Sequence, residues 1–173
     1  AMSGILFYSG DHKLSIDYAS KAVNLNPSFV QSYGWLGLSQ VHYGEYENVE
    51  KTFLKAIDIS PLDPDINLIR TGLNFSCIGQ KKFKEALEYI EKNLSLVPNR
   101  GNWIGFRASI LGHLGKVDEA AKELNRYLEM RPNLKTTEDY RNIFVKNSKL
   151  TETIIDGFLK AGWEPEKIGR AHV

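Results

Sequence analysis

An all-α solenoid of stacked helical hairpins is predicted by three features of the sequence. A turn glycine, an aromatic or branched apolar residue, an acidic pair, a small residue and apolar positions at helical spacing run from Gly44 to Pro61. The same pattern recurs from Gly10, Gly79 and Gly115. The segments close at Pro27, Pro61, Pro98 and Pro132, separated by 34, 37 and 34 residues, a period that belongs to repeat architectures. Within each segment the apolar residues fall at three- and four-residue intervals, as on a helix with one buried face.

Taken in order, residues 1–29 form a partial unit, in which apolar Met2 to Tyr8 precede a turn at Ser9-Gly10-Asp11. Leu14, Ile16, Tyr18, Ala19, Ala22, Val23 and Leu25 then mark a helix stopped at Pro27, which lacks the amide a continuing helix needs. Residues 30–64 are the most regular unit. Tyr33, Leu36, Gly37, Gln40 and Val41 share a face of its first helix, and Val49, Phe53, Ala56 and Ile57 form the stripe of its second. Gly37 and Ala56 are small where the two backbones must approach.

The third unit, residues 65–99, opens at Asp63-Pro64-Asp65 and places a first helix over roughly 66–78. Its turn, Gly79-Gln80-Lys81-Lys82-Phe83, is two residues longer than that of the second unit, a change cheap in closure entropy. In the fourth, residues 100–132, a helix to about Leu114 is followed by Gly115-Lys116 and a second helix with Val117, Ala120, Ala121, Leu124 and Leu128 inside. Asp118 and Glu119 favour the positive end of that helix. Residues 133–173 leave the repeat. Thr136 or Thr137 caps a short helix through Phe144, Asn147-Ser148 breaks it, and Leu150, Ile154, Ile155, Phe158, Leu159 and Ala161 mark a final helix ending near Gly162. This segment is expected to cap the last apolar face, with Trp163 closing its edge.

The turn glycine, aromatic, acidic pair, small residue and closing proline, with Trp35-Leu36-Gly37 in a first helix, resemble tetratricopeptide repeats, pairs of antiparallel helices. The resemblance covers about residues 5–132 and implies a TPR-type alpha-alpha superhelix with C-terminal capping helices. Val49, Asn93 and Tyr127 stand where that pattern prefers small residues. A narrower resemblance is carried by Ser60-Pro61-Leu62-Asp63-Pro64, by Leu111 to Ala120, by Met130-Arg131-Pro132-Asn133-Leu134 and by Phe158 to Trp163. These are similar to the C-terminal repeat regions of bacterial adenylate and guanylate cyclases and of some transcriptional regulators. That likeness implies a larger signalling parent and supplies no catalytic residue.

Lys plus Arg total 22 and Asp plus Glu total 21, so no basic surface is implied and no nucleic-acid contact is expected. Cys77 is the sole cysteine, which fits a reducing compartment. No apolar run of about 18 residues and no export signal are present, so no membrane contact and a cytoplasmic location are expected. The opening Ala1-Met2-Ser3 reads as a boundary within a longer parent, which could itself be membrane-attached. No nucleophile, base and orienting group form a catalytic set, and Asp118 with Glu119, or Glu45 with Glu47, read as helix-start and surface charges. His42, Cys77 and His113 recur in successive units, but packed helices stand about 8–10 Å apart, too far for shared metal ligands. No catalytic role, metal or cofactor is expected.

A protein or peptide partner is expected instead, held on the inner wall formed by the first helix of each unit. The candidate contacts are Gln31, Trp35, Leu38 and His42 in the second unit, Arg70 and Leu73 in the third, and Asn102, Phe106 and Ser109 in the fourth. Trp35 and Phe106 are the expected anchors, since aromatic residues dominate many interfaces. The alternative is self-association, with the first helix at Ser3 to Tyr8 completing a neighbouring copy and giving a homodimer.

Overall fold

A computed structural model describes residues 2–46, 48–63, 65–144 and 148–166. Glu47 of the carboxylate pair, Pro64 of the third opening and Asn147 of the expected break lie outside the described residues. Among the described residues the chain forms ten helices: α1 (Met2–Ser9), α2 (His12–Leu25), α3 (Val30–Tyr43), α4 (Val49–Ile59), α5 (Ile66–Gly79), α6 (Phe83–Leu96), α7 (Gly101–His113), α8 (Val117–Glu129), α9 (Thr137–Ile143) and α10 (Lys149–Lys160). Helices α1 to α8 pair as four hairpins, each stacked on the next, so the fold is the all-α superhelix that the repeats predict. The core is the continuous seam between hairpins, because no single hairpin can bury its own apolar face.

Turn chemistry sets the hairpins. Gly44 and Gly115 take left-handed conformations, with φ of 96° and 72°, where a side chain is disfavoured. In the third hairpin that position falls on Lys81, at φ 59°, and not on Gly79. Gly79 closes α5, and a Cβ there would run into the Tyr46 ring. The longer turn therefore moves the left-handed residue two positions beyond the glycine and frees the glycine for packing.

Phe53 shows how the stack is locked. Its ring is fully buried between Gly37 of α3 and Gly72 of α5, and a Cβ on either glycine would overlap it. Polar links add direction: Trp103 Nε1 donates to Thr71 Oγ1 at 2.8 Å between α7 and α5, and Asn74 Nδ2 donates to the Ala86 carbonyl at 2.7 Å between α5 and α6. Such buried bonds fix the register of packed helices because an unmade partner costs about 1–3 kcal/mol.

The C-terminal segment departs from a simple end cap. Thr136 and Asp139 form a capping box at the start of α9. Helix α10 then turns back across the inner wall and packs on α7, α5 and α3, the first helices of three successive hairpins. Its Leu150, Ile154, Ile155 and Phe158 are buried there. The sequence placed an amphipathic helix here correctly, but its partner surface is the concave wall as well as the last hairpin.

Candidate functional site

The inner wall is built from α3, α5 and α7, and α10 fills much of it. Ser109 Oγ donates to the Ile154 carbonyl at 3.0 Å, and His113 Nε2 donates to the Thr153 carbonyl at 2.8 Å. Burial leads the effects that lower the His113 pKa, and its ring stacks on Phe83 with centroids 4.0 Å apart. Gly112 and Gly157 let the α7 and α10 backbones touch, since a Cβ on Gly112 would overlap the Gly157 carbonyl oxygen. His42 Nδ1 lies 2.7 Å from Ser148 Oγ, just ahead of α10. Burial, then the neighbouring His12 imidazole, push the His42 pKa down to about 3, so the ring is neutral near pH 7.

The rest of the wall is open as a cleft of about 280 Å³. Its floor comes from Leu38 and His42 of α3, from Leu68, Thr71 and Phe75 of α5, and from Trp103 and Phe106 of α7. Phe7 and Tyr8 of α1 line one side, and Ile143 and Phe144 line the other. Phe75 and Phe106 meet edge to face at 4.8 Å, and Phe144 packs on His42, Phe75 and Phe106 with centroids 5.6 to 5.8 Å apart. Arg100 and Asn102 complete the rim. Such a half-open recess, with aromatic rings in its floor and polar groups at its edge, suits capture of one large side chain.

The structure brings Leu38, His42, Asn102 and Phe106 together in this cleft. Trp35 is half-buried against α1, with Phe7 and Tyr8 at 5.8 and 5.9 Å. Gln31 is exposed and donates to Asp65 at 3.2 Å. Ser109 is buried under α10, and Arg70 and Leu73 do not line the cleft. On α5 the lining set is Leu68, Thr71 and Phe75, a face rotated from the expected Arg70 and Leu73. Their i, i+3, i+7 spacing is the sequence signal for that face. The contributions of α1 and α9 have no counterpart in the repeat pattern and were missed.

Among the described residues no group of three or more His, Cys, Asp and Glu is placed to hold a metal ion. Among them, too, no helix is long and apolar enough to cross a membrane. Cys77 lies half-buried away from the cleft, and burial, with Glu50 and Glu85, pushes its thiol up to about 11, opposite to an activated nucleophile.

Comparison with known proteins agrees with this architecture. A tetratricopeptide-repeat family model matches residues 105–134, which run from α7 through α8. The TPR repeat-containing protein MJ1428 of Methanocaldococcus jannaschii is 26% identical over 163 residues, covering 87% of this chain. The chain spans 28% of the length of that relative. Among solved structures, a MamA RS-1 ArsTM double mutant superposes with a TM-score of 0.63 at 11% identity, over 93% of this chain and 89% of that one. YrrB, described as a TPR protein with an unusual peptide-binding site, superposes with a TM-score of 0.57 at 17% identity, over 92% and 82% of the two chains. The chain thus carries a tetratricopeptide-repeat match in its fourth hairpin and has the fold of a tetratricopeptide-type superhelix.

Proposed function

We propose that this chain is a protein-interaction module that takes a partner segment in the inner cleft. Tetratricopeptide repeats generally mediate contacts between proteins, and the peptide-binding site named for YrrB is in keeping with such a role. The observation that carries the reading is the aromatic cleft left open beside α10, between α1 and α9. Of the sequence-derived contacts, Leu38, His42, Asn102 and Phe106 meet the partner inside it, and Gln31, Trp35 and Arg70 act from its surroundings. Leu73 and Ser109 support the wall from beneath. The module serves a larger regulatory or signalling protein, a reading supported by the likeness of its repeat ending to the cyclase-associated repeat regions.

Peptides selected from a random library on the immobilised chain test this. They should rebind about tenfold more weakly to a Tyr8→Ala, Ile143→Ser variant, because both residues line the cleft and are more than half exposed, so their replacement spares the core. Selected peptides that rebind the variant unchanged place the contact elsewhere.

A second reading, self-association, is favoured by one observation. Met2, Ile5 and Tyr8 of α1 are 52%, 66% and 65% exposed, and Leu14 and Tyr18 of α2 are 40% and 42% exposed. Together they leave an apolar face at the first hairpin, where a further hairpin would stack. Sedimentation over a range of concentration decides: a dimer abolished by Ile5→Lys supports this reading, and one chain at every concentration rejects it.

A further inference from the structure

The cleft has a chemical polarity that narrows its occupant. Among the described residues, Arg100 is the only charged side chain that lines it, and no aspartate or glutamate does. The Arg100 guanidinium lies over the Trp103 ring, 4.9 Å from the centroid, which orients the fork without neutralising it. Arg107, Arg126 and Arg141 are each paired with carboxylates of this chain, whereas Arg100 meets none among the described residues. Beside it, the Asn102 side-chain oxygen accepts from the Arg131 guanidinium, so the amide hydrogens of Asn102 are the part left for a ligand. The rim therefore offers donors and positive charge above an apolar floor.

The cleft is also bounded. Phe7 and Tyr8 stand at one side, Phe144 at the other, and α10 fills the wall beyond His42 and Ser109. One side chain of a partner can seat between these walls. We infer that the cleft recognises an internal peptide residue with a large apolar side chain laid over the edges of Phe75 and Phe106, between Tyr8 and Phe144, flanked by a carboxylate side chain held by Arg100 and Asn102. This rests on the partner-binding reading above and specifies its chemistry.

Three glycine-serine octapeptides, blocked at both ends and titrated against the full chain by calorimetry, test it. One carries phenylalanine between two aspartates, one phenylalanine between two lysines, and one alanine between two aspartates. The first should bind about tenfold more tightly than either of the others, the preference shrinking as salt screens the rim. Arg100→Gln, a rim change that leaves the fold intact, should cut the preference for aspartate over lysine to about threefold or less while sparing the lysine-flanked peptide. Equal or tighter binding of the lysine-flanked peptide, or a preference that survives Arg100→Gln, overturns the acidic-flank inference and leaves the apolar cleft standing. If neither phenylalanine peptide binds at millimolar concentration, the inference and the cleft as a partner site fall together.

Discussion

Gly112 of α7 and Gly157 of α10 cross with their backbones in contact, and neither position has room for a Cβ. A methyl group on Gly157 would meet the hydroxyl, carbonyl and Cα of Ser109; the hydroxyl can rotate, but the carbonyl and Cα belong to the α7 backbone and cannot swing away. Gly157→Ala is expected to destabilise the chain by about 3 kcal/mol, the upper range for overpacking a close contact. Urea unfolding followed by circular dichroism measures this. A change under about 0.5 kcal/mol, the range of neutral surface substitutions, means that α10 does not seat as described.

Acid should weaken the chain through His42. The imidazole has an ordinary pKa of 6.5 when unfolded and about 3 when folded. Between those values the unfolded chain takes up a proton that the folded chain refuses, so stability falls as pH drops through that window. The loss between pH 7 and pH 5 is about 2 kcal/mol from this residue. Denaturation midpoints at both pH values should differ by more for the wild type than for His42→Gln; equal differences would reject the assignment.

Lys81 holds a left-handed conformation that glycine adopts without strain. Lys81→Gly is expected to raise stability by about 0.5–1 kcal/mol despite its entropic cost in the unfolded chain. Gly79→Ala should act in the opposite direction, because its methyl group meets the Tyr46 ring. Thermal melts of the two variants should bracket the wild type.

Arg141 donates from Nε and Nη2 to both oxygens of Glu152, at 2.7 and 3.0 Å, and ties α9 to α10. Both side chains are exposed, at 39% and 58%. Glu152→Gln should therefore cost less than about 1 kcal/mol, and the difference from wild type should vanish near 1 M salt. A salt-independent loss would mean that the pair acts through packing.

Much of the fold was legible because each hairpin repeats the same local signals. Gly44 and Gly115, the apolar stripes and the closing prolines located the hairpins within a residue or two. The α5 face was not legible from the second unit, because Thr71 takes the Trp103 hydrogen bond and Phe75 meets Phe106 and Phe144, contacts that the repeat pattern does not encode. The seat of α10 was also hidden. Ile154, Ile155 and Phe158 reveal an amphipathic helix but not the surface it meets. Its one local clue is the run of small inner residues Ser109, Gly112 and Gly157, whose meaning appears only when α7 and α10 are brought together. The walls supplied by Tyr8 and Phe144 come from opposite ends of the described chain, a closure that no short-range pattern encodes.

Helix α10 also changes what kind of mechanical object the array is. Hairpins that touch only their neighbours can open and close like a spring, each joint yielding a little. A rod lying over α3, α5 and α7 at once adds a brace across several joints, so stretching the array requires peeling that rod away. The three hairpins it spans are thereby held at one curvature, and force applied along that part of the stack meets a stiff clip.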